Sequence, residues 1–129
     1  MSRVEVSENI GPHEVRSIEN ASATTTSSVF HSSNFTIHSY QVIYGGSVGG
    51  STDATFEIQC TNDDGGKSGD YSADATNWQT IASYDIDSGN NTEGIMYSDV
   101  WNFKYARCKI TITVANGLTS VDVIEKHNA

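Results

Sequence analysis

The residues that could form a covalent catalyst lie in one glycine-rich segment, Gly45-Gly-Ser-Val-Gly49. It matches the Gly-x-Ser-x-Gly pattern of serine hydrolases, which exposes the serine on a strained turn between a strand and a helix. Here another strand pattern follows the glycines and no helical pattern does. We therefore interpret the segment as a hairpin loop and predict no catalytic serine in it.

The four histidines do not form a recognisable ligand set. No two of them have a spacing such as His-x-x-x-His, and no motif places a pair of carboxylates. His38 falls inside a strand pattern and is interpreted as a core residue, whereas His127 is assigned to a tail of residues 127–129. The sequence thus predicts no catalytic residue, no metal and no cofactor, and it favours a protein that is not an enzyme.

An acidic loop, residues 61–77, carries four aspartates among glycines and serines (Asp63, Asp64, Asp70 and Asp74). Calcium prefers six to eight oxygen ligands at a flexible site, so such a loop could hold a cation. The spacing of an EF-hand is absent, and no glutamate closes the loop. We predict a solvated loop and leave a cation or a partner as alternatives.

Cys60 and Cys108, the two cysteines, each fall on the apolar face of a strand pattern. We predict buried free thiols, because a protein that stays in a reducing compartment rarely forms disulfides. A bridge remains open if the two strands face each other across a sandwich.

The segments that must position these residues have the sequence pattern of β-strands. Phe56, Ile58 and Cys60 alternate with polar residues, and Cys108, Ile110, Ile112 and Val114 do the same, which is the period of a half-buried strand. About eight such strands predict a single-domain, all-β, two-sheet sandwich that is jelly-roll-like and spans residues 28–126. The pattern does not distinguish sequential hairpins from Greek-key crossings.

One strand pattern, residues 35–44, has apolar residues on both faces. Tyr40, Val42 and Tyr44 share one face, while Ile37 and Ile43 lie on the other. This pattern predicts a central strand that is covered on both sides, by the N-terminal arm or by a partner.

Residues 1–27 precede the predicted sandwich and have irregular apolar spacing. They form either an edge strand of the sandwich or an extended arm that adds a strand to a neighbouring subunit. Exposed aromatic residues would provide further anchors at Tyr71, Trp101 or Tyr105, although core packing explains Trp101 equally well. The candidate partner-binding residues are accordingly Val4, Val6, Ile10, Val15, Ile18, Tyr71 and Trp101.

The net charge of −9, with only seven basic residues, argues against binding to nucleic acid. No secretion signal opens the sequence, and no apolar run approaches the length needed to cross a bilayer. We therefore expect a soluble protein that is made in a cytoplasm and does not contact a membrane.

Four segments together resemble a set found in bacteriophage structural proteins of jelly-roll type: Ser39–Gly46, Phe56–Asp63, Asn77–Ile81 and Phe103–Thr113. The resemblance covers residues 28–125, with Thr61 in place of the usual serine and an insertion before Trp78. It implies a virion component, either a capsid decoration (cement) protein or a part of the tail. The implied partners are the major capsid protein or other virion subunits, and further copies of the chain in a dimer or trimer. A carbohydrate-binding jelly roll that serves host recognition is the alternative.

Overall fold

The structure is a computed structural model that describes residues 13–46, 54–67, 72–86, 95–113 and 118–129 of the 129-residue chain. Antiparallel strands and one turn of 3-10 helix (Ser72–Asp74) make up the regular structure of these residues. The strands are β1 (His13–Ala21), β2 (Thr25–Thr26), β3 (Phe30–His31), β4 (Ile37–Gly46), β5 (Ala54–Thr61), β6 (Gln79–Ile86), β7 (Ile95–Val100), β8 (Tyr105–Ile112) and β9 (Leu118–Asn128). The predicted all-β class is confirmed.

The strands form two sheets that pack face to face. Sheet A has the order β1-β9-β4-β7, and sheet B has the order β2-β8-β5-β6, with β3 also paired to β8. Because β2 and β3 pair with successive parts of β8, they act as one interrupted strand. Each sheet then joins strands from both ends of the chain, which is the Greek-key arrangement of a jelly roll. This pairing settles the topology that the sequence left open.

The core lies between the sheets and follows from the alternation of apolar residues. In β5 the side chains of Phe56, Ile58 and Cys60 are buried, while those between them are half-exposed. Sheet A contributes Val42 and Tyr40, whose ring lies 6.0 Å from that of Phe56. Burial of this apolar surface is the main term that stabilises the sandwich.

The N-terminal part of the described chain is an edge strand of sheet A. β1 pairs with β9 from His13↔His127 to Ala21↔Val121, and the side chain of Ile18 is only 2% exposed. This burial contradicts the prediction that Ile18 binds a partner, because the core of its own subunit already covers it. The sheet therefore includes residues that precede the predicted boundary at residue 28.

The C-terminal end also differs from the prediction. β9 continues to Asn128 and pairs with β4 as far as Ile37↔Asn128. His127 is fully buried inside the sandwich. Residues 127 and 128 thus belong to the sheet and not to a tail.

Candidate functional site

A chain of buried polar side chains runs through the core of the sandwich. The inward face of β9 carries Val121 and Val123 and then two polar residues, Glu125 and His127. The β4–β9 register places His38 directly opposite His127, and all three polar side chains are buried. The fold thus brings together two histidines that lie 89 positions apart in the chain.

The hydrogen bonds among these side chains show which ring nitrogen of His38 carries the proton. His38 Nε2 lies 3.3 Å from the carbonyl oxygen of Trp101, which can only accept, so His38 donates there. Its Nδ1 then accepts from His127 Nδ1 at 2.8 Å. His127 Nε2 lies 2.9 Å from Glu125 Oε1. The three side chains are therefore hydrogen-bonded in series.

The pKa of His38 agrees with this assignment. It is lowered from 6.5 to about 4, chiefly because burial disfavours the charged ring and secondly because of the charge on His127. His38 is therefore a neutral acceptor at neutral pH.

Aromatic rings close the polar chain from solvent. Trp101 stacks on His38 with centroids 3.9 Å apart, and Phe30 stacks on His127 at the same separation. Trp101 is 7% exposed and Tyr105 is fully buried, so neither is an exposed anchor for a partner or a sugar. For Trp101 the core alternative holds, since its ring is needed to cover His38.

The two thiols do not provide a usable nucleophile. Cys60 and Cys108 are free and buried, and burial raises the pKa of each to about 12. Both belong to sheet B, where Cys108 pairs with Ile58, so the cysteines are diagonal neighbours in one sheet and do not face each other across the sandwich. Diagonal neighbours are roughly 7–8 Å apart, which exceeds the usual Cα separation in a disulfide.

The described part of the acidic loop uses its carboxylates internally. Asp63 accepts hydrogen bonds from the amide of Gly65 at 2.9 Å and from the side chain of Asn77 at 2.6 Å. Asp64 forms an ion pair with Lys104 at 3.0 Å, which lowers the pKa of Asp64. Gly65 is required here, since its φ is +77° and a Cβ would lie 2.5 Å from a carbonyl oxygen. These contacts hold the loop against sheet B.

The outer face of sheet A exposes a group of large apolar side chains, which we call the outer apolar face: Ile37, Ile43, Met96 and Val100. They are 44%, 43%, 74% and 69% exposed, respectively. Ile37 and Val100 are direct cross-strand neighbours. No described residue of this chain covers the second face of β4, so its apolar residues are left to solvent. Exposed large apolar side chains on one face of a sheet make that face a candidate interaction surface.

Charged residues lie beside the outer apolar face. Arg16 forms an ion pair with Asp122, and Glu14 lies opposite Lys126 in the β1–β9 register.

A small cleft opens between β1 and the β2–β3 segment. It has a volume of about 230 Å³, and its lining includes Val15, Phe30 and Glu125. Val15, a predicted partner-binding residue, is partly exposed at this cleft. The other predicted anchors Val4, Val6, Ile10 and Tyr71 lie outside the described residues. Of the three predicted anchors that the structure describes, Val15 is partly exposed, whereas Ile18 and Trp101 are buried, so these three do not form one exposed surface.

Sequence reasoning missed the buried pair Glu125 and His127 and the exposed residues of β7. Side chains alternate between the two faces of a strand, so the alternation that places Val121 and Val123 inward also places Glu125 and His127 inward. Continuing this alternation to the end of the sequence would have predicted both as buried. Met96 and Val100 alternate with Tyr97 and Asp99, but strand alternation does not indicate which face is covered.

Among the described residues no three His, Cys, Asp or Glu side chains are arranged to hold a metal ion. The same residues include no helix with the length and hydrophobicity needed to span a bilayer.

No family model and no curated protein matches the chain. Among solved structures, it is similar to the SPBc2 prophage-derived protein YomS, with a TM-score of 0.57, 11% identity, and coverage of 90% of this chain and 91% of that one. It also matches a Yersinia pseudotuberculosis-derived mitogen (TM-score 0.43, 11% identity, covering 92% of this chain and 86% of that one). A third match is to the pili of Bacillus endospore appendages (TM-score 0.42, 11% identity, covering 92% and 88%). At these identities the likeness to YomS concerns the fold alone.

Proposed function

We propose that this protein is a non-enzymatic structural component of a bacteriophage virion, namely a capsid decoration subunit that binds capsid proteins. The observation that carries the proposal is the outer apolar face of sheet A, a surface suited to docking on another protein. The four sequence segments that resemble phage structural proteins are the reason for proposing a capsid protein as the partner.

The chemistry of the outer apolar face supports a protein partner. Fully burying an aliphatic side chain of this size contributes roughly 1.5–3 kcal/mol, so several together can anchor a subunit. Arg16 and Asp122 beside this face already form an ion pair, so docking would leave neither as an unpaired charge.

The buried polar chain supports the non-enzymatic part of the proposal. His38, Glu125 and His127 already satisfy one another, and the aromatic rings of Trp101 and Phe30 cover the histidines. The buried polar chain therefore contributes to the specificity of the core, because its hydrogen bonds form in only one register of β4 against β9.

A decoration assay tests the proposal. Purified protein is mixed with virions that lack it, and the bound copies are measured by sedimentation. We expect saturable binding of the wild type and a loss of about tenfold or more in affinity for Ile43→Lys, since a charge would be desolvated at the interface. Ser83→Lys makes the same charge change on an exposed position of β6 in sheet B and should bind as the wild type does.

Two results would contradict the proposal. Binding to isolated tails but not to capsids would move the protein to the tail. Absence of binding to either particle by the folded wild type would remove the virion assignment altogether.

A further inference from the structure

The four sheet edges of the described sandwich differ in how well they are protected. β1 carries charged residues and two register shifts, and its Asn20 has a φ of 49°. β6 has a register shift beside Ile81, and the edge opposite it consists of two strands of only two residues each. Bulges, charges and short strands are the devices by which proteins prevent unwanted edge pairing.

The remaining edge, β7, has no register shift and is six residues long. It pairs with β4 in an unbroken register from Ile37↔Val100 to Val42↔Ile95, and it contains no lysine, arginine or proline. Its single charged residue, Asp99, accepts hydrogen bonds from its own strand, from Tyr97 Oη at 2.9 Å and from the Val100 amide at 2.7 Å. Among the described strands, β7 has β4 as its only neighbour.

The direction of the free backbone groups of β7 follows from one hydrogen bond. The Trp101 amide donates to the Thr36 carbonyl at 3.1 Å, so this pair is hydrogen-bonded across the β4–β7 ladder. Bonded and non-bonded pairs alternate in an antiparallel ladder. The backbone groups of Met96, Ser98 and Val100 therefore point away from β4, toward the open edge.

We propose that β7 pairs antiparallel with β7 of a second copy, around a two-fold axis at Ser98. In this register Ser98 exchanges both backbone hydrogen bonds with Ser98 of the second copy, and the Met96 amide reaches the Val100 carbonyl. The two chains then form one continuous eight-stranded sheet. A two-fold interface of this kind requires a self-complementary surface.

The side chains select this register over its neighbours. On the outer face Met96 lies opposite Val100 of the second copy, an apolar cross-strand pair that occurs twice. On the inner face Tyr97 lies opposite Asp99, which its hydroxyl already binds within one chain. An axis at Tyr97 would place Ile95 opposite Asp99, and an axis at Asp99 would place two carboxylates opposite each other.

The dimer also affects the outer apolar face. Both copies place Ile37, Ile43, Met96 and Val100 on the same side of the joined sheet, so the two apolar faces become one larger surface. The pairing itself does not depend on the proposed function, because it uses the edge of β7 and not the surface of a capsid protein.

Sedimentation equilibrium over a concentration series tests the dimer. We expect the wild type to approach twice its 13.9 kDa mass, and Ser98→Lys to raise the dimer dissociation constant about tenfold or more, because two ammonium groups would meet at the axis. Ser39→Lys makes the same charge change on the cross-strand neighbour of Ser98 and should leave the dimer intact.

A disulfide trap gives a positive test. Residues of a hydrogen-bonded pair have Cα atoms about 5.5 Å apart, which suits a disulfide. Oxidised Ser98→Cys should therefore migrate as a covalent dimer in a denaturing gel, whereas Ser39→Cys should form no covalent dimer; the buried Cys60 and Cys108 do not compete. A wild type that is monomeric at every concentration, or a Ser98→Lys protein that dimerises as the wild type does, would overturn the proposal. Neither result would contradict the proposed binding to capsids, because the decoration assay tests Ile43 on the outer apolar face and not the edge of β7.

Discussion

At the scale of single residues, the core of this protein depends on three polar side chains in positions where apolar ones are usual. A buried ionisable group is costly unless it is paired and hydrogen-bonded. Glu125, His127 and His38 meet this condition by bonding in series and ending on the Trp101 carbonyl. The hydrogen bonds among all three side chains, and not any one residue alone, offset the free-energy cost of burying them.

We expect His38 to make the protein less stable in mild acid. Its pKa falls from 6.5 to about 4 on folding, so the unfolded chain binds a proton more readily within that window. The contribution of His38 is complete above pH 6.5 and is lost as the pH falls toward 4, by about 3 kcal/mol in the free energy of unfolding. Urea unfolding at several pH values, compared with His38→Gln, measures this effect.

The control for this measurement is His31→Gln, which alters a partly exposed histidine of β3 and should keep the wild-type dependence on pH. If His38→Gln lost stability between pH 6.5 and 4 as steeply as the wild type, the buried polar chain would not have the assigned protonation.

At the scale of elements, β1 makes His13–Ala21 part of the sandwich itself. It forms the edge of sheet A, inserts Ile18 and Ala21 into the core, and holds the ion pair between Arg16 and Asp122. An N-terminal arm that serves a neighbouring subunit can therefore include only residues that precede β1.

Two truncations separate the arm from the edge strand. If residues 2–12 serve only a neighbouring subunit, their removal should leave the free energy of unfolding within about 0.5 kcal/mol of the wild type, as for surface changes. Removing residues 2–21 should prevent folding, because the loss of Ile18 alone is worth about 2–5 kcal/mol. Circular dichroism and urea unfolding distinguish the two, and a folded 2–21 deletion would show that β1 is dispensable.

At the scale of the whole molecule, acidic side chains outnumber basic ones by 16 to seven, which gives a net charge of −9. The ion pairs in the described part of the chain include Arg16–Asp122 and Lys104–Asp64. Like charges of this number oppose the compact state, and salt screens them.

We expect NaCl to stabilise the protein. Raising the ionic strength to 0.15 M shortens the Debye length to about 8 Å, so repulsion among the carboxylates weakens. The midpoint of thermal unfolding should rise between low salt and physiological salt, as measured by calorimetry. A midpoint that falls would mean that the two ion pairs outweigh the general repulsion.

The alternation of apolar and polar residues along the sequence was sufficient to predict much of the fold. The period of two in Phe56–Cys60 and in Cys108–Ile112 identified buried strands, because neighbouring side chains of a strand point to opposite faces. The same rule placed Tyr40 and Val42 together in the core and made His38 a core residue. These features depend only on residues that are near one another in the chain.

The sequence by itself determined the all-β class, the strand faces and the acidic character of the protein. The tertiary structure alone decided that β1 closes sheet A, that His38 meets His127, and that Ile37 and Ile43 remain exposed beside β7. Each of these depends on which strands become neighbours. Pairing joins residues far apart in sequence, and alternation shows that a strand has two faces without showing what will cover them.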